Sequence, residues 1–259
     1  MKRLTHIAEI RNKLKNNIPS IGSWMQIPNA SVAEIMGHAQ YDWVAVDLEH
    51  GAIAVHQLPD LFRALALGGT LPLARIAQGH PKDCKQALDA GAGGVIIPMV
   101  DNAAMLHTIR DACCWPPAGS RGVGFSRANL FGKYFDAYVD EAQAPLVIAM
   151  IEHIDAVHHL PEILKVPGLD AILIGPYDLS ASMHLTAQFD HPLVQSTIAQ
   201  IRECASAAGV ACGIHIVKPD VAQLQQSIHL GYRFLAYSID AVFLNESVAN
   251  PYQLIDSHL

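Results

Sequence analysis

The run DLEHG at residues 47–51 places Asp47, Glu49 and His50 directly after the apolar segment WVAV. Three titratable groups at the end of a segment that should be buried suggest a polar rim on a hydrophobic body. Asp47 and His50 are three residues apart, which predicts a carboxylate that orients the imidazole, and an oriented histidine works as a general base near neutral pH. Arg75 ends the apolar run LPLAR, where a guanidinium is costly unless it faces an anion or a developing negative charge. Glu152 and Asp178 each follow a strongly apolar run, and two carboxylates completed by water are the hard oxygen ligands that Mg²⁺ or Mn²⁺ prefers. His215 with Lys218, and Asp240, close two later runs. Any one of these groups has a plain alternative as a helix cap or an internally bonded core residue, His215 above all. Together they describe metal-assisted proton abstraction next to a carbonyl.

The elements that must hold these residues are legible as eight short β-rich runs, beginning at residues 21, 43, 71, 94, 146, 171, 211 and 234. Between them lie stretches with helical spacing, among them SVAEIMGHAQ, HQLPDLFRALALGG, HPKDCKQALDAGA, NAAMLHTIRDACC and HPLVQSTIAQIRECASAAG, several ending in glycine. Near-continuous apolar strands alternating with helices predict a parallel sheet covered on both faces. Eight units in 259 residues predict an α/β fold, a (β/α)₈ TIM barrel forming one domain over residues 1–259. A doubly wound sheet fits less well, because no strand leads into a GxGxxG turn. In such a barrel the chemistry lies at the C-terminal ends of the strands, where the residues above converge. The Gly- and Pro-rich connection 115–135, with Arg121 and Arg127, is expected on that face. Six further histidines, His153, His158, His159, His184, His191 and His229, read as surface groups without a role.

Composition narrows the function. A formal net charge of −7 with scattered basic residues argues against nucleic acid or an anionic membrane as partner. No stretch reads as a signal peptide or membrane span, which predicts a cytoplasmic protein. Five cysteines without a CxxC pair predict reduced, mostly buried thiols. The apolar residues of the tail 245–259 lack a partner, which predicts packing on a neighbouring subunit.

The segments AEIMGHAQYDWVAVDLEHG, PLARI, ALDAGAGGVIIPMV, PPAGSRGVGFSRA, MIEHIDAV and LDAILIGPYDLSASM, in this order and spacing, resemble the HpcH/HpaI aldolases over most of the chain. These are metal-dependent class II enzymes that make or cleave 2-oxo acids through a pyruvate enolate. The resemblance implies cleavage or formation of a 4-hydroxy-2-oxo acid, with pyruvate and an aldehyde as the other side of the reaction. It implies Glu152 and Asp178 as ligands of Mg²⁺ or Mn²⁺, with Co²⁺ or Zn²⁺ as substitutes, and His50 with Asp47 as the acid/base dyad. Arg75 would hold the substrate oxygen and stabilise the enolate, the backbone at Gly175 and Pro176 would seat the pyruvate carboxylate, and Trp24 and Val123 would line the pocket. Asp89 would reach a neighbouring subunit's site within a homohexamer built from dimers. Met150, Tyr177 and His215 depart from the family pattern and crowd or repolarise the substrate pocket. Oxaloacetate decarboxylation or a citramalyl-type lyase reaction shares the same enolate, and a barrel that only binds a 2-oxo acid is the non-enzymatic alternative.

Overall fold

Strand after strand, the β-rich runs emerge where the apolar pattern puts them. In a computed structural model that describes residues 2–248, they are β1 (Ser20–Met25), β2 (Trp43–Asp47), β3 (Leu71–Arg75), β4 (Gly94–Ile97), β5 (Leu146–Ile151), β6 (Ala171–Ile174), β7 (Ala211–Ile216) and β8 (Phe234–Ile239). All pair in parallel and close in sequence order, β8 returning to β1. The predicted eight-stranded barrel is therefore present. Most of the tail 245–259, with its expected subunit contact, falls outside the described residues.

The period of two along each strand divides the apolar residues between two cores. Trp43 and Ala45 of β2, Leu71 and Leu73 of β3, Leu146, Ile148 and Met150 of β5, and Phe234 of β8 fill the barrel interior. Val44, Val46, Val147, Ala149, Ile172 and Ile174 point outward under the helices. Burying each large aliphatic or aromatic side chain contributes about 1.5–3 kcal/mol relative to exposure. The interior is aromatic at its centre, where Trp43 stacks on Phe234 with centroids 4.3 Å apart and planes 3° apart. Gly22 makes this stack feasible, since a Cβ there would penetrate the Trp43 ring.

The same parity decides what reaches the rim. Asp47 follows Trp43 and Ala45 on the inward face, Arg75 follows Leu71 and Leu73, and Glu152 follows Ile148 and Met150. The opposite end is plugged by the helix Lys2–Lys15, which buries Ile7 and Ile10 in the interior cluster. Arg11 fixes it by donating to the Asp170 carboxylate and the Pro145 carbonyl, just ahead of β6 and β5. One end is thus sealed and the other left for chemistry.

Several of the helices that follow the strands start on side-chain caps. His80, His153 and His191 each accept a backbone N–H on Nδ1 at a helix start, which gives several of the histidines a structural task. The helix Pro81–Ala90 ends at Gly91 with φ of 105°, a left-handed conformation that glycine adopts without strain. Among the described residues no helix is long and apolar enough to cross a membrane, and the five cysteines are free, four of them buried.

Candidate active site

A cavity of about 360 Å³ opens at the C-terminal ends of the strands, lined by Trp24, His50, Arg75, Glu152, Gly175, Pro176, Tyr177, Asp178 and His215 of the predicted residues. Gln26, Met150, Ile174, Val217 and Ile239 complete it. Residues as far apart in the chain as Trp24 and Ile239 therefore meet because each lies at or just past the C-terminal end of a barrel strand.

Asp47 lies just beneath this surface, fully enclosed. The β2–β3 register sets it opposite Arg75, and the guanidinium donates Nε–H to Oδ1 at 2.9 Å and Nη2–H to Oδ2 at 2.6 Å. Gln26 donates its side-chain amide to Oδ2, and the backbone N–H groups of Glu49 and His50 donate to Oδ1. Burial raises the Asp47 pKa, but the Arg75 bonds and charge, with Gln26 and the His50 amide, outweigh it and leave the group below its ordinary value. This corrects the expected dyad: Asp47 binds the backbone of His50, not its imidazole. The physical reason is that the turn after β2 folds its amides onto the carboxylate, whose acceptor sites are already filled by the neighbouring strand. His50 itself is exposed at the lip of the cavity.

Arg75 carries a second ion pair, Nη1 to Oε2 of Glu49 at 2.7 Å, although the N–H is not aligned into a hydrogen bond and that oxygen is otherwise unpartnered. It also lies over the Trp24 ring, 5.3 Å from the centroid. A fixed cation is thus shared between two acids and an aromatic wall.

The β5–β6 side is different. Glu152 is 3% exposed and accepts one hydrogen bond, at 2.7 Å, from the backbone N–H of Met99, a residue held at φ of 49°. Burial, reinforced by the charges of Glu49 and Asp178, pushes its pKa up to about 7 against the pull of the Met99 amide and Arg75. Gly175 is required beside it, because a Cβ there would collide with the Glu152 carboxylate. Asp178 stands at the exposed edge of the same cavity, on the helix Pro176–Ser182. Glu152 thus has two carboxylates, Glu49 and Asp178, and one guanidinium, Arg75, as charged neighbours. Such a donor set fits a divalent cation, which relieves the repulsion among carboxylates and takes oxygen ligands. Among the described residues no group of three His, Cys, Asp or Glu side chains is placed to hold a metal ion by itself.

His215 turns inward from β7 and stacks on Trp24, while its Nε2 lies 3.1 Å from the Ser238 carbonyl. It is both a satisfied barrel residue and a pocket wall. Asp240 accepts the backbone N–H groups of Gln26 and Ile27 and so fixes the loop after β1, the capping alternative for a strand-end acid. Lys218 lies in an adjoining cavity rather than this one.

Two predicted residues lie apart from the pocket of their own chain. Val123 is 54% exposed. Asp89 lines a separate basic cleft with Arg63, Lys82, Lys85 and Arg127, and accepts a hydrogen bond from Arg121. The connection 115–135 packs toward that cleft, where Arg127 donates to the Ala90 carbonyl. Burial and the nearby Arg3 lower the Arg127 pKa to about 10. Gln26 and the Met99 amide are the functional groups that the sequence reading missed. Gln26 follows Trp24 at the inward parity and was discoverable by extending the alternation one step past β1; a backbone donor such as Met99 leaves no residue-type signal.

The sequence and fold have counterparts among known proteins. The HpcH/HpaI aldolase/citrate lyase family model matches residues 20–246. A hydroxypyruvate/pyruvate aldolase from Roseobacter denitrificans is 37% identical over 226 residues, 86% of this chain and 87% of that one. A 2-keto-3-deoxy-L-rhamnonate aldolase from Escherichia coli is 34% identical over 240 residues, covering 92% and 89%. Among solved structures, an HpcH/HpaI aldolase/citrate lyase family protein from Burkholderia cenocepacia superposes with a TM-score of 0.89 at 31% identity, covering 96% of this chain and 99% of that one.

Proposed function

The chain belongs to the HpcH/HpaI aldolase/citrate lyase family and is a carbon–carbon lyase, and from that premise we propose a divalent-metal-dependent aldolase that interconverts a 4-hydroxy-2-oxo acid with pyruvate and an aldehyde. The observation that carries this reading is the excess of carboxylates over cations around the cavity, concentrated at Glu152. Glu152 and Asp178 would hold the ion. When bound, a divalent ion supplies Lewis-acid charge to the oxygens of the 2-oxo acid.

The chain's own groups account for the rest. The carboxylate of the 2-oxo acid sits against the backbone at Gly175 and Pro176, as the family resemblance implies. Arg75 is held rigid by Asp47, so its guanidinium meets the oxygen on which enolate charge develops without reorganising. His50 takes the proton of the 4-hydroxyl on an imidazole nitrogen. The C3–C4 bond then breaks, the aldehyde departs, and the bonding pair remains on the pyruvate fragment as its enolate; C3 of the enolate takes up the proton that His50 gives back, which yields pyruvate and resets the base, and addition runs the same steps backwards. Asp47 is a positioning residue acting through Arg75. Asp89 serves a neighbouring subunit of a dimer-based hexamer in this proposal, and the enzyme works in the cytoplasm.

The test is pyruvate release from a panel of 2-keto-3-deoxy sugar acids with Mn²⁺, before and after chelation. Release should stop on chelation and resume on readdition, and His50→Ala should lower turnover by about 10²–10⁴-fold while Mn²⁺ still binds. Turnover that survives complete chelation, or a lysine adduct trapped by borohydride, contradicts the proposal. Carbon dioxide from oxaloacetate without aldol cleavage of any panel member would indicate decarboxylation instead.

A further inference from the structure

His215 is a polar pocket residue that the proposed cleavage leaves without a task. Its ring is offset-stacked on Trp24, with centroids 5.0 Å apart and planes 25° apart. A carbonyl only accepts, so the 3.1 Å contact with the Ser238 carbonyl places the ring proton on Nε2. Ser238 is itself fixed, at φ of 58° with its hydroxyl donating to the Val217 carbonyl. Burial is the largest influence on the imidazole and, helped by Arg75, lowers its pKa to about 4 despite the Ser238 bond. The ring is therefore neutral at working pH, and its second nitrogen, Nδ1, carries a lone pair.

That nitrogen is available. Nδ1 makes no hydrogen bond among the described residues, and it is not one of the sealed, unpartnered polar atoms such as Trp43 Nε1. His215 lines both the 360 Å³ pocket and the adjoining cavity of about 820 Å³, and the two share Pro176, Tyr177 and Val217 as well. A ligand extending from one space toward the other passes a rigid, uncharged acceptor.

We propose that His215 is a specificity-determining residue whose Nδ1 accepts a hydrogen bond from a substrate hydroxyl, so that hydroxylated reactants are preferred over their deoxy counterparts. The inference rests on the aldolase reading and adds to it the chemical class of substrate. A neutral acceptor rewards a hydroxyl, does nothing for a methyl group, and repels a carboxylate; an aliphatic residue at this position would not distinguish the first two. The hydroxyl has two sources, the C3 position of the 2-oxo acid or the carbon next to the aldehyde, and both present the same donor.

Carbon–carbon bond formation in the Mn²⁺-loaded enzyme separates them. One arm compares hydroxypyruvate with pyruvate against a fixed aldehyde; the other compares glycolaldehyde with acetaldehyde against a fixed 2-oxo acid. In the arm that reports the contact, the hydroxylated-to-deoxy ratio of kcat/KM should fall about tenfold in His215→Leu. It should fall equally in His215→Phe, which keeps a ring against Trp24, and recover in part in His215→Gln, whose amide oxygen accepts. Because the ratio is taken within each variant, a general loss of activity cancels, and Phe and Gln carry the comparison should the Leu variant not fold. Ratios unchanged from wild type in both arms overturn the inference and leave the aldolase reading standing. Absence of turnover by the wild type with every pair overturns both.

Discussion

Two arcs of the barrel rim carry buried carboxylates and treat their charge in opposite ways. Where β2 meets β3, Asp47 is wholly enclosed, yet a guanidinium, a side-chain amide and two backbone N–H groups satisfy it, and its pKa lies below the ordinary value because these bonds outweigh the upward push of burial. Where β5 meets β6, Glu152 is almost as enclosed, accepts one backbone N–H, and has acids for neighbours; burial drives its pKa to about 7. Burial alone therefore does not decide the state of a carboxylate. What decides it is whether the fold supplies the compensating charge, and the first arc is supplied from within while the second is not.

The most drastic way to break the contrast is to remove the internal cation. Arg75→Met strands Asp47 in a site closed to water, and loss of one member of a buried ion pair costs about 3–5 kcal/mol. We expect a large drop in urea midpoint together with loss of turnover; adding Asp47→Asn should recover part of the stability and none of the turnover. Glu152→Gln acts on the other arc and should show the reverse pattern. Turnover falls by about 10²-fold or more, while the metal-free protein at pH 8 becomes no less stable, because a repelled charge has been removed.

The pH dependence of stability sharpens the same comparison with smaller effects. Folded Glu152 titrates near 7 against an ordinary 4.5, so the folded state holds the extra proton between them and metal-free stability falls as pH rises through that window. Glu152→Gln should abolish this fall. His215 contributes with the opposite sign. Its folded pKa of about 4 lies below the ordinary 6.5, so the unfolded chain takes up the proton first and stability is lost as pH drops from 6.5 toward 4. Urea midpoints between pH 4 and 8 for wild type, Glu152→Gln and His215→Phe should show the two slopes separately.

The strands were legible in the sequence because burial on both faces leaves a near-continuous apolar run, and all eight begin within one residue of where that pattern starts. Alternation along those runs also brought Arg75, Glu152 and His215 to one cavity. Partner choice was not legible. Spacing pairs Asp47 with His50, three residues away, whereas its side-chain partner lies 28 residues on, directly opposite in the next strand. Spacing along a chain describes a helix face or a turn; it does not report the register between strands. Asp89 and Val123 illustrate a second limit: neither lines the pocket of its own chain, and a motif's place in the sequence does not report which cleft its side chains enter.

The central claim is that the Glu152 arc, and not the Asp47 arc, takes a divalent cation. Calorimetric titration of metal-free protein with Mn²⁺ at pH 8 tests it directly. One site per chain is expected in the wild type, abolished by Glu152→Gln, strongly weakened by Asp178→Asn, and retained in the Asp47→Asn, Arg75→Met double variant. Mn²⁺ binding that is undiminished in both carboxylate variants, or that disappears in the double variant while Glu152→Gln still binds, would contradict it.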